Sequence, residues 1–418
     1  MREVDLLIIG GGPAGLSASI GAYNAGLKNI LILERNKELG GILNQCIHNG
    51  FGLHIFKEEL TGPEYSNRLI EEVENNKIPI LLNTIVTEIR ENKIVVTLSE
   101  NGLEHIKAKA IILAMGCRER PRGAINIAGE RCSGIFSAGT AQEFINIHGY
   151  KVGKKAVILG SGDIGLIMAR RLTFEGTKVE AVVELMPYSS GLSRNVVQCV
   201  QDFDIPLMFN STVTKIVGKE RLEGVYICQV DENKKPIKET EKFIECDTLL
   251  LSVGLLPENE LSQMAGVDLS NITSGAIVDD SLETNVDGIF ACGNVLHVHD
   301  LVDNVSIEAM EAGKSAVKYI KNGESKKTLV RINTDEKVRY VVPQYINVEN
   351  SINDIEIKFR SSDVYKKCKL KISVNDTNII SKNLRVITPG EMEKIKIEGK
   401  YLQNFDKISN INVSIEVV

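Results

Sequence analysis

The chain has 418 residues, of which 43% are hydrophobic and 25% are charged, and its formal net charge is −6 at pH 7. These values are ordinary for a soluble globular protein of two or three domains, and they give no reason to expect nucleic acid or an anionic membrane as a partner. No apolar run approaches the roughly 18 residues of a membrane helix, and Glu3 and Asp5 stand where a signal peptide is basic. The eight cysteines are widely spaced and form no C-x-x-C pair, which favours a reduced, cytoplasmic protein.

The first 34 residues predict a dinucleotide-binding βαβ unit. An apolar strand at 4–9 precedes Gly10, Gly12 and Gly15 in G-x-G-x-x-G spacing, then a small-residue helix and a second strand that ends in Glu34. The first glycine allows a tight turn, the second lets the backbone approach a pyrophosphate, and the third lets the helix pack on the strand. The helix N-terminus would bind that pyrophosphate, and Glu34 would accept hydrogen bonds from a ribose. The alternative is a glycine-rich turn in another kind of α/β domain.

The same pattern returns 150 residues later, from Gly10 to Gly160. A strand at 155–159 leads into Gly160, Gly162 and Gly165, and a strand at 179–183 ends in Glu184. The acid follows the third glycine by 19 residues in both copies. Because the full pattern occurs twice, we expect two nucleotide-binding domains and two dinucleotides.

A glycine-rich loop at 40–52 matches neither helical nor strand periodicity, and it contains Cys46 and His48. Long irregular loops in compact domains tend to be functional. Cys46 is either a redox-active thiol or a buried small hydrophobe, and His48 is either an acid/base group or a structural histidine. Both are our candidate catalytic residues.

His297, His299 and Asp300 form an H-x-H-D pattern that invites a metal interpretation. Two histidines at i, i+2 can share a strand face, but no cysteine or carboxylate cluster completes a site in the sequence. No metal site is therefore predicted.

The last part of the chain, 326–418, predicts a small antiparallel β domain with one solvated face. Apolar and polar residues alternate in short runs, as at Ile355, Ile357 and Phe359, and turn residues separate the runs. A charged stretch at 321–328 is the predicted linker to this domain.

Four motifs together resemble the two-dinucleotide-binding flavoproteins, the pyridine nucleotide-disulfide oxidoreductase superfamily. The motifs are the two glycine turns with their acids, Ala114-Met115-Gly116 at a strand end, and the segment 284–294. The resemblance covers roughly residues 1–322. Segments 40–52, 58–65, 118–123 and 292–303 are further similar to FAD/NAD oxidoreductase subunits that accompany glycerol-3-phosphate dehydrogenases, and to α subunits of dye-linked amino-acid dehydrogenases.

The resemblance implies an α/β fold of two Rossmann-like domains plus a small C-terminal all-β domain. An FAD domain at 1–118 and 283–322 would be interrupted by an NAD(P)H domain at 119–282. Asn294 stands where the family usually has an Asp that bonds the ribityl chain, so we expect FAD to bind with that contact altered. The cofactor-binding residues implied are Gly10, Gly12, Pro13, Ala14, Gly15, Glu34, Arg35, Gly41, Ala114, Gly116, Gly160, Gly162, Ile164, Gly165, Glu184, Gly293 and Asn294.

The leading functional hypothesis is an FAD-dependent oxidoreductase subunit that exchanges electrons between NAD(H) and a partner dehydrogenase. Glu184 favours NADH over NADPH, because a carboxylate there bonds a 2′-hydroxyl and repels a 2′-phosphate. A second hypothesis is a stand-alone NADH oxidase or a peroxide or disulfide reductase that uses Cys46 alone. A third is a flavin-bearing scaffold whose β domain docks a partner. An oligomer is compatible with each of these.

Overall fold

The structure, a computed structural model, describes residues 1–323, 327–350 and 354–417. The chain divides into two units, one of residues 1–117 and 257–418 and the other of residues 118–256. Both units contain a Rossmann-like sheet and the C-terminal region is rich in strands, so the predicted fold class is confirmed. Part of the predicted linker, 324–326, lies outside the described residues.

The chain returns to the first unit at residue 257, whereas the sequence placed this return at residue 283. The side-chain amide of Asn259 donates to the carbonyl oxygens of Ser274 and Val295 at 2.8 and 2.9 Å. The first bond lies within the segment between residues 257 and 282, and the second joins that segment to the turn after the strand Ile289–Ala291. No apolar periodicity marks such side-chain bonds, so the sequence could not reveal this return point.

The first unit is built on a sheet whose central strand is Arg2–Ile9. Strands pair with it in parallel on both sides, so Leu6, Leu7 and Ile8 are fully buried. The strand Ile289–Ala291 pairs in parallel with the C-terminal end of Gly102–Leu113. The other strands, in spatial order, are Ile80–Leu81, Ile30–Leu33, Arg2–Ile9, Gly102–Leu113, Ile94–Ser99 and Ile85–Arg90.

Two long helices cross closely beside this sheet. Pro13–Asn24 and Val302–Asn322 approach through Gly21 and Gly313, where a side chain would meet the partner helix's backbone. This packing fixes the start of Val302–Asn322 near the first glycine turn. Other helical segments of the unit are Gly41–Gln45, Gly62–Asn75, Glu91–Lys93, Glu260–Met264 and Gly293–Val295, and a short ribbon pairs Asn49–Phe51 with Leu60–Thr61.

The second unit repeats the arrangement with a parallel sheet of five strands. The spatial order is Ile135–Ser137, Thr248–Leu251, Lys155–Leu159, Lys178–Val183 and Leu207–Met208. A second sheet contains Ala128–Gly129, Ser211–Gly218, Leu222–Gln229 and Lys242–Glu245, and a ribbon pairs Cys117–Glu119 with Leu255–Pro257. The helices are Arg122–Ile125, Ala138–Asn146, Asp163–Phe174 and Ser193–Cys199, with single turns at Gln201–Phe203 and Lys238–Thr240.

The C-terminal region of the first unit forms two sheets around its own apolar core. One sheet runs Tyr345–Asn347, Leu329–Thr334, Ile411–Val417, Tyr365–Val374 and Thr377–Ile387, and the other runs Val338–Val342, Ile355–Ser361 and Glu393–Ile397. Short helical turns lie at Val348–Asn350 and Gly399–Leu402. Within the described ranges, no helix is long and apolar enough to cross a membrane.

Candidate functional site

Three predicted motif segments meet at the carboxyl end of the first unit's sheet. A Cβ built on Gly10 would lie 2.4 Å from the carbonyl oxygen of Ala114, and one on Gly293 would lie 2.8 Å from the Cβ of Ala14. Gly41 packs on the same turn, with its Cβ position 3.1 Å from the Cα of Gly12. The crevice outside the carboxyl ends of parallel strands is where open α/β sheets bind ligands.

The three glycines of the first turn have different surroundings. A Cβ on Gly15 would lie 1.8 Å from the carbonyl oxygen of Gly10, so close helix–strand packing requires glycine there. A Cβ on Gly12 would meet only the Cα of Gly41, at 3.9 Å, among the described residues. The space in front of Gly12 is therefore open, at the N-terminus of a helix that begins at Pro13 and carries no acidic residue in its first turn. A pyrophosphate fits this cradle.

The second unit reproduces this geometry at its own glycine turn. A Cβ on Gly160 would lie 2.0 Å from the carbonyl oxygen of Ser252, and one on Gly165 would lie 2.6 Å from that of Gly160. A Cβ on Gly162 would meet nothing closer than a serine hydroxyl at 3.7 Å among the described residues. Ile164 lies half-buried in the first turn of the helix Asp163–Phe174.

Sequence reasoning missed Ser252, although a signal exists. It follows the apolar strand Thr248–Leu251 as Ala114 follows the strand Gly102–Leu113, so the repeat includes this position too.

The two predicted ribose acids have the same hydrogen bonds in the two units. Glu34 accepts from the backbone N–H groups of Gly11 and Asn36 at 2.7 and 2.8 Å. Glu184 accepts from those of Ser161 and Met186, both at 2.9 Å, exactly 150 positions after their counterparts. Each buried carboxylate thus ties its strand end to its glycine turn. Both oxygens of Glu34 and Oε1 of Glu184 keep a lone pair for a ribose hydroxyl, whereas Oε2 of Glu184 also accepts from the Ser161 hydroxyl at 2.5 Å. Arg35, next to the first acid, is exposed.

The loop with the candidate catalytic residues lies beside the first turn. The Cys46 thiol donates to the carbonyl oxygen of Ile42 at 3.3 Å, and burial raises its pKa to about 12. His48 is half-buried, with its Nδ1 3.1 Å from the carbonyl oxygen of Asn49 and its ring centroid 4.9 Å from that of Phe51. At neutral pH the Cys46 thiol is therefore protonated, which weakens it as a nucleophile.

Asp303 is a site residue that the sequence did not single out. Its buried carboxylate accepts from the backbone N–H groups of Gly52, His54 and Ile55 at 3.0 to 3.2 Å. It therefore anchors the end of the glycine-rich loop to the start of the helix Val302–Asn322.

The turn after the strand Ile289–Ala291 is held by side chains. The side-chain oxygen of Asn294 accepts a hydrogen bond from the backbone N–H of His299 at 3.0 Å, and the side-chain nitrogen of Asn294 lies 3.6 Å from the Cys117 sulfur. Gly116, also predicted, accepts from the backbone N–H of Glu258 at 3.0 Å. Asn294 keeps its turn in a fixed shape, which is compatible with the predicted change of the ribityl contact.

The expectation that no carboxylate accompanies His297 and His299 is wrong. Glu308, one to two helical turns into Val302–Asn322, lies 2.9 Å from Nε2 of His297 and 3.1 Å from Nε2 of His299. All three side chains are buried and offer the spacing of metal ligands. However, the Lys358 ammonium lies 2.6 Å from the same carboxylate, so a cation already neutralises Glu308. Asp300 is elsewhere, paired with Arg360.

The comparison with known families identifies the fold and the family. The model of the pyridine nucleotide-disulphide oxidoreductase family matches residues 4–323. The chain belongs to this family. Its members are FAD-dependent oxidoreductases that use NAD(P)H, and the open cradles at Gly12 and Gly162 fit the two dinucleotides.

Individual relatives of this family member are distant. A mitochondrial dihydrolipoyl dehydrogenase from Caenorhabditis elegans is 28% identical over 333 residues, which are 71% of this chain and 64% of that protein. The chain thus spans less than two thirds of that relative's length.

Two solved structures share the family member's fold. A thioredoxin reductase from T. acidophilum has a TM-score of 0.63 at 24% identity, over 76% of this chain and 99% of that one. An NAD-dependent persulfide reductase from A. fulgidus has a TM-score of 0.58 at 19% identity, over 94% of this chain and 71% of that one.

Proposed function

We propose that this FAD-dependent oxidoreductase exchanges electrons between NAD(H) and a separate partner dehydrogenase, such as one that oxidises glycerol 3-phosphate or an amino acid. Support for the kind of partner comes from the resemblance of segments 40–52, 118–123 and 292–303 to subunits of such systems. Family membership supports the flavin and the pyridine nucleotide.

The proposal of a separate electron acceptor rests mainly on the pairing and the protonation of the cysteine thiols. All eight cysteines lie in the described residues, and none of them forms a disulfide. Cys46 has no second cysteine in its loop, and burial raises its pKa to about 12. A disulfide reductase needs a dithiol beside its flavin, and a peroxide reductase needs a reactive thiolate. Because Cys46 offers neither, the proposal assigns the electrons of the flavin to an acceptor outside this chain.

The residues of the first unit have defined tasks in this proposal. The backbone at Gly12 and the helix N-terminus at Pro13 hold the FAD pyrophosphate, and Glu34 holds the adenosine ribose. The Gly293–Asn294 turn holds the ribityl side, and the start of the helix Val302–Asn322 stabilises negative charge at the ring. Bound FAD supplies hydride and electron transfer, while the protein supplies orientation and electrostatics.

NADH is the proposed nucleotide substrate of the second unit. The Glu184 carboxylate lies at the end of the strand Lys178–Val183, next to the turn where a 2′-phosphate would be repelled. We expect kcat/KM for NADH to exceed that for NADPH by at least about tenfold. Glu184→Gln should narrow this ratio, and a wild-type preference for NADPH would contradict the assignment.

Activity of the purified chain tests the proposed function. We expect NADH-dependent reduction of a dye, with no oxidation of glycerol 3-phosphate by the chain alone. Cys46→Ser should keep the dye activity, as should the matched control Cys132→Ser in the second unit. If the wild-type chain reduces peroxide or oxygen at a comparable rate and Cys46→Ser abolishes that activity, the stand-alone enzyme is the correct function.

A further inference from the structure

A buried charge cluster connects the C-terminal β domain with the turn that the FAD site uses. The Glu308 carboxylate accepts from the backbone N–H of Gly293 at 2.8 Å and from the imidazoles of His297 and His299. Its fourth donor is the Lys358 ammonium at 2.6 Å, which comes from the strand Ile355–Ser361 of the C-terminal region. One carboxylate therefore joins the two parts of the first unit.

Lys358 provides the positive charge in this cluster. Burial lowers the pKa of both imidazoles, to about 4 for His297, so both are neutral and donate through Nε2–H. Their Nδ1 atoms are buried and have no hydrogen-bond partner among the described residues. Despite its burial, the pKa of Glu308 is held well below its usual range by Lys358 and the two histidines. Without Lys358 the carboxylate would be a buried charge with no cation on it.

The same β domain reaches the turn at two further points. Arg360, two residues along the strand, pairs with Asp300 and donates to the carbonyl oxygen of Val298 at 3.2 Å. Lys394, on the neighbouring strand Glu393–Ile397, donates to the side chain of Asn304 at 2.7 Å. Lys358 and Arg360 are alternate residues of one strand, and Lys394 is the partner of Lys358 on the next strand, so neighbouring cations of one sheet contact the turn and the helix that follows it.

We infer that the C-terminal β domain is an integral part of the flavin site, with Lys358 as a positioning residue that acts through Glu308. Glu308 fixes the backbone of Gly293, and its histidine partner His299 fixes the side chain of Asn294. This inference rests on the assignment of FAD to the first unit. It places the β domain in cofactor binding, which differs from the role of a separate docking module.

Several charged or titratable groups set the protonation of this cluster. They are His297 and His299 of the turn, Glu308 of the helix, Lys358 and Glu356 of one β strand, Lys394 of the next strand and the Cys292 thiol. Lys358 is the cation closest to Glu308, and removing it leaves the carboxylate facing the two imidazoles. The imidazole pKa values should then rise, because an opposite charge at contact distance favours the charged form.

Histidine NMR of the FAD-loaded protein tests this inference on the chain's own atoms. The chain has six histidines, and ¹⁵N labelling reports the tautomer and charge of each. In the wild type we expect two of them, His297 and His299, to be neutral Nε2–H tautomers at pH 8 and to titrate below the usual histidine range. In Lys358→Met at least one of these two should titrate about one unit or more higher, and FAD should bind at least about tenfold more weakly.

The matched control is Lys396→Met, whose lysine lies on Glu393–Ile397 but pairs with Asp354 at 2.7 Å and is 62% exposed. It should change neither the two histidines nor FAD affinity. Equal histidine titration and FAD affinity in Lys358→Met and this control would overturn the inference. If Lys358→Met does not fold, Lys358→Arg is measured instead. Because arginine keeps the positive charge beside Glu308, both histidines should stay neutral in this variant, and a charged histidine in Lys358→Arg would also overturn the inference.

The double variant Lys358→Met with Glu308→Gln separates the charge from the packing. It leaves no unpaired charge, so the pKa values of the two histidines should return to the wild-type range. If they stay raised, Lys358 does not act through Glu308. These readouts do not depend on NADH or dye turnover, so a failure of the proposed function would be distinguishable from a failure of this inference.

Discussion

At the scale of single residues, substitutions at Gly12 and Gly15 should have different effects, because Gly12 faces the space for the cofactor and Gly15 is needed for the packing of the fold. The backbone φ of Gly12 is −79°, which any residue adopts, and the space beside it is open. We expect Gly12→Ala to fold, with the melting temperature of the flavin-free wild type, but to purify with little or no flavin, because its methyl group occupies the pyrophosphate cradle. Gly15→Ala should fail to fold stably, since its Cβ would lie 1.8 Å from a carbonyl oxygen. Wild-type flavin content in Gly12→Ala would contradict the assigned site.

The equivalent change in the second unit should affect the other nucleotide. Gly162 has a φ of −67° and open space beside it, like Gly12. Gly162→Ala should therefore keep its flavin while the KM for NADH rises at least about tenfold, measured by steady-state dye reduction. Loss of flavin with unchanged KM would mean that the two units bind the opposite nucleotides.

We predict that the stability of the folded chain depends on pH through the carboxyl group of Asp280. Burial raises its pKa to about 6, and its carboxylate accepts from the backbone N–H of Asn347 at 2.6 Å. Between about pH 4 and pH 6 the Asp280 carboxyl group is protonated in the folded chain but ionised in the unfolded chain. Above about pH 6 the group is ionised in both states, and its buried charge then lowers the free energy of unfolding by the largest amount. Asp280→Asn keeps the acceptor without the charge and should raise the unfolding free energy at pH 7.5 by about 1–3 kcal/mol.

This gain should vanish near pH 4, where wild-type Asp280 is also neutral, and chemical denaturation at the two pH values measures it. The control Asp287→Asn changes an exposed carboxylate nearby and should shift stability by no more than about 0.5 kcal/mol. An Asp280→Asn variant that is less stable than the wild type at pH 7.5 would show that the charge is favourable there.

Site residues that belong to a local sequence pattern could be predicted, whereas site residues whose contacts are far apart in the sequence could not. The positions of Glu34 and Glu184 follow from the strand–turn–helix–strand order. Their bonds to the glycine turns needed the structure, because side-chain direction is not encoded in spacing. Glu308 was missed because it lies on a helix beyond the histidines, and its cation Lys358 is 50 residues further along the chain.

At the scale of elements, the crossing of two helices holds the first glycine turn against the flavin-site turn. A Cβ on Gly313 would lie 2.1 Å from the carbonyl oxygen of Ala18, and neither helix backbone can move aside locally. We expect Gly313→Ala to lower stability by about 1–3 kcal/mol despite the better helix propensity of alanine. Thermal unfolding measures this.

The neighbouring Lys314→Ala is the control for that prediction, because the Lys314 side chain is 54% exposed and pairs with Glu311 on the surface. It should change stability by less than about 0.5 kcal/mol. A Gly313→Ala variant as stable as Lys314→Ala would mean that the two helices are less closely packed than the structure shows.

Elements with a clear apolar period were predicted well. The predicted strand at 155–159 is observed with the same bounds, as Lys155–Leu159, and the predicted strand at 179–183 is observed as Lys178–Val183. The strand Thr377–Ile387 was missed because it is an edge strand whose residues are mostly exposed on both faces, so its sequence shows no alternation. Tertiary pairing with Tyr365–Val374 determines that strand.

At the scale of the whole molecule, the duplication of the βαβ unit gave the fold class and the cofactors, while the C-terminal domain's role came only from the structure. The sequence predicted a β domain with one solvated face. It could not show that Lys358, Arg360 and Lys394 reach the turn and helix at positions 298–308, because charged residues on alternating strands usually indicate a solvated face. Here those cations are partly or fully buried against acidic and polar groups.

The central claim is that the flavin is the two-electron centre of this FAD-dependent oxidoreductase and that none of the eight cysteines, all in the described residues, adds a second. Anaerobic titration of the FAD-loaded protein with NADH, followed by the visible absorbance of the flavin, tests it most directly. NADH carries two electrons and FAD accepts two, so one equivalent of NADH per FAD should bleach the flavin completely. Consumption of two equivalents would reveal a reducible disulfide in addition to the flavin and would contradict the account.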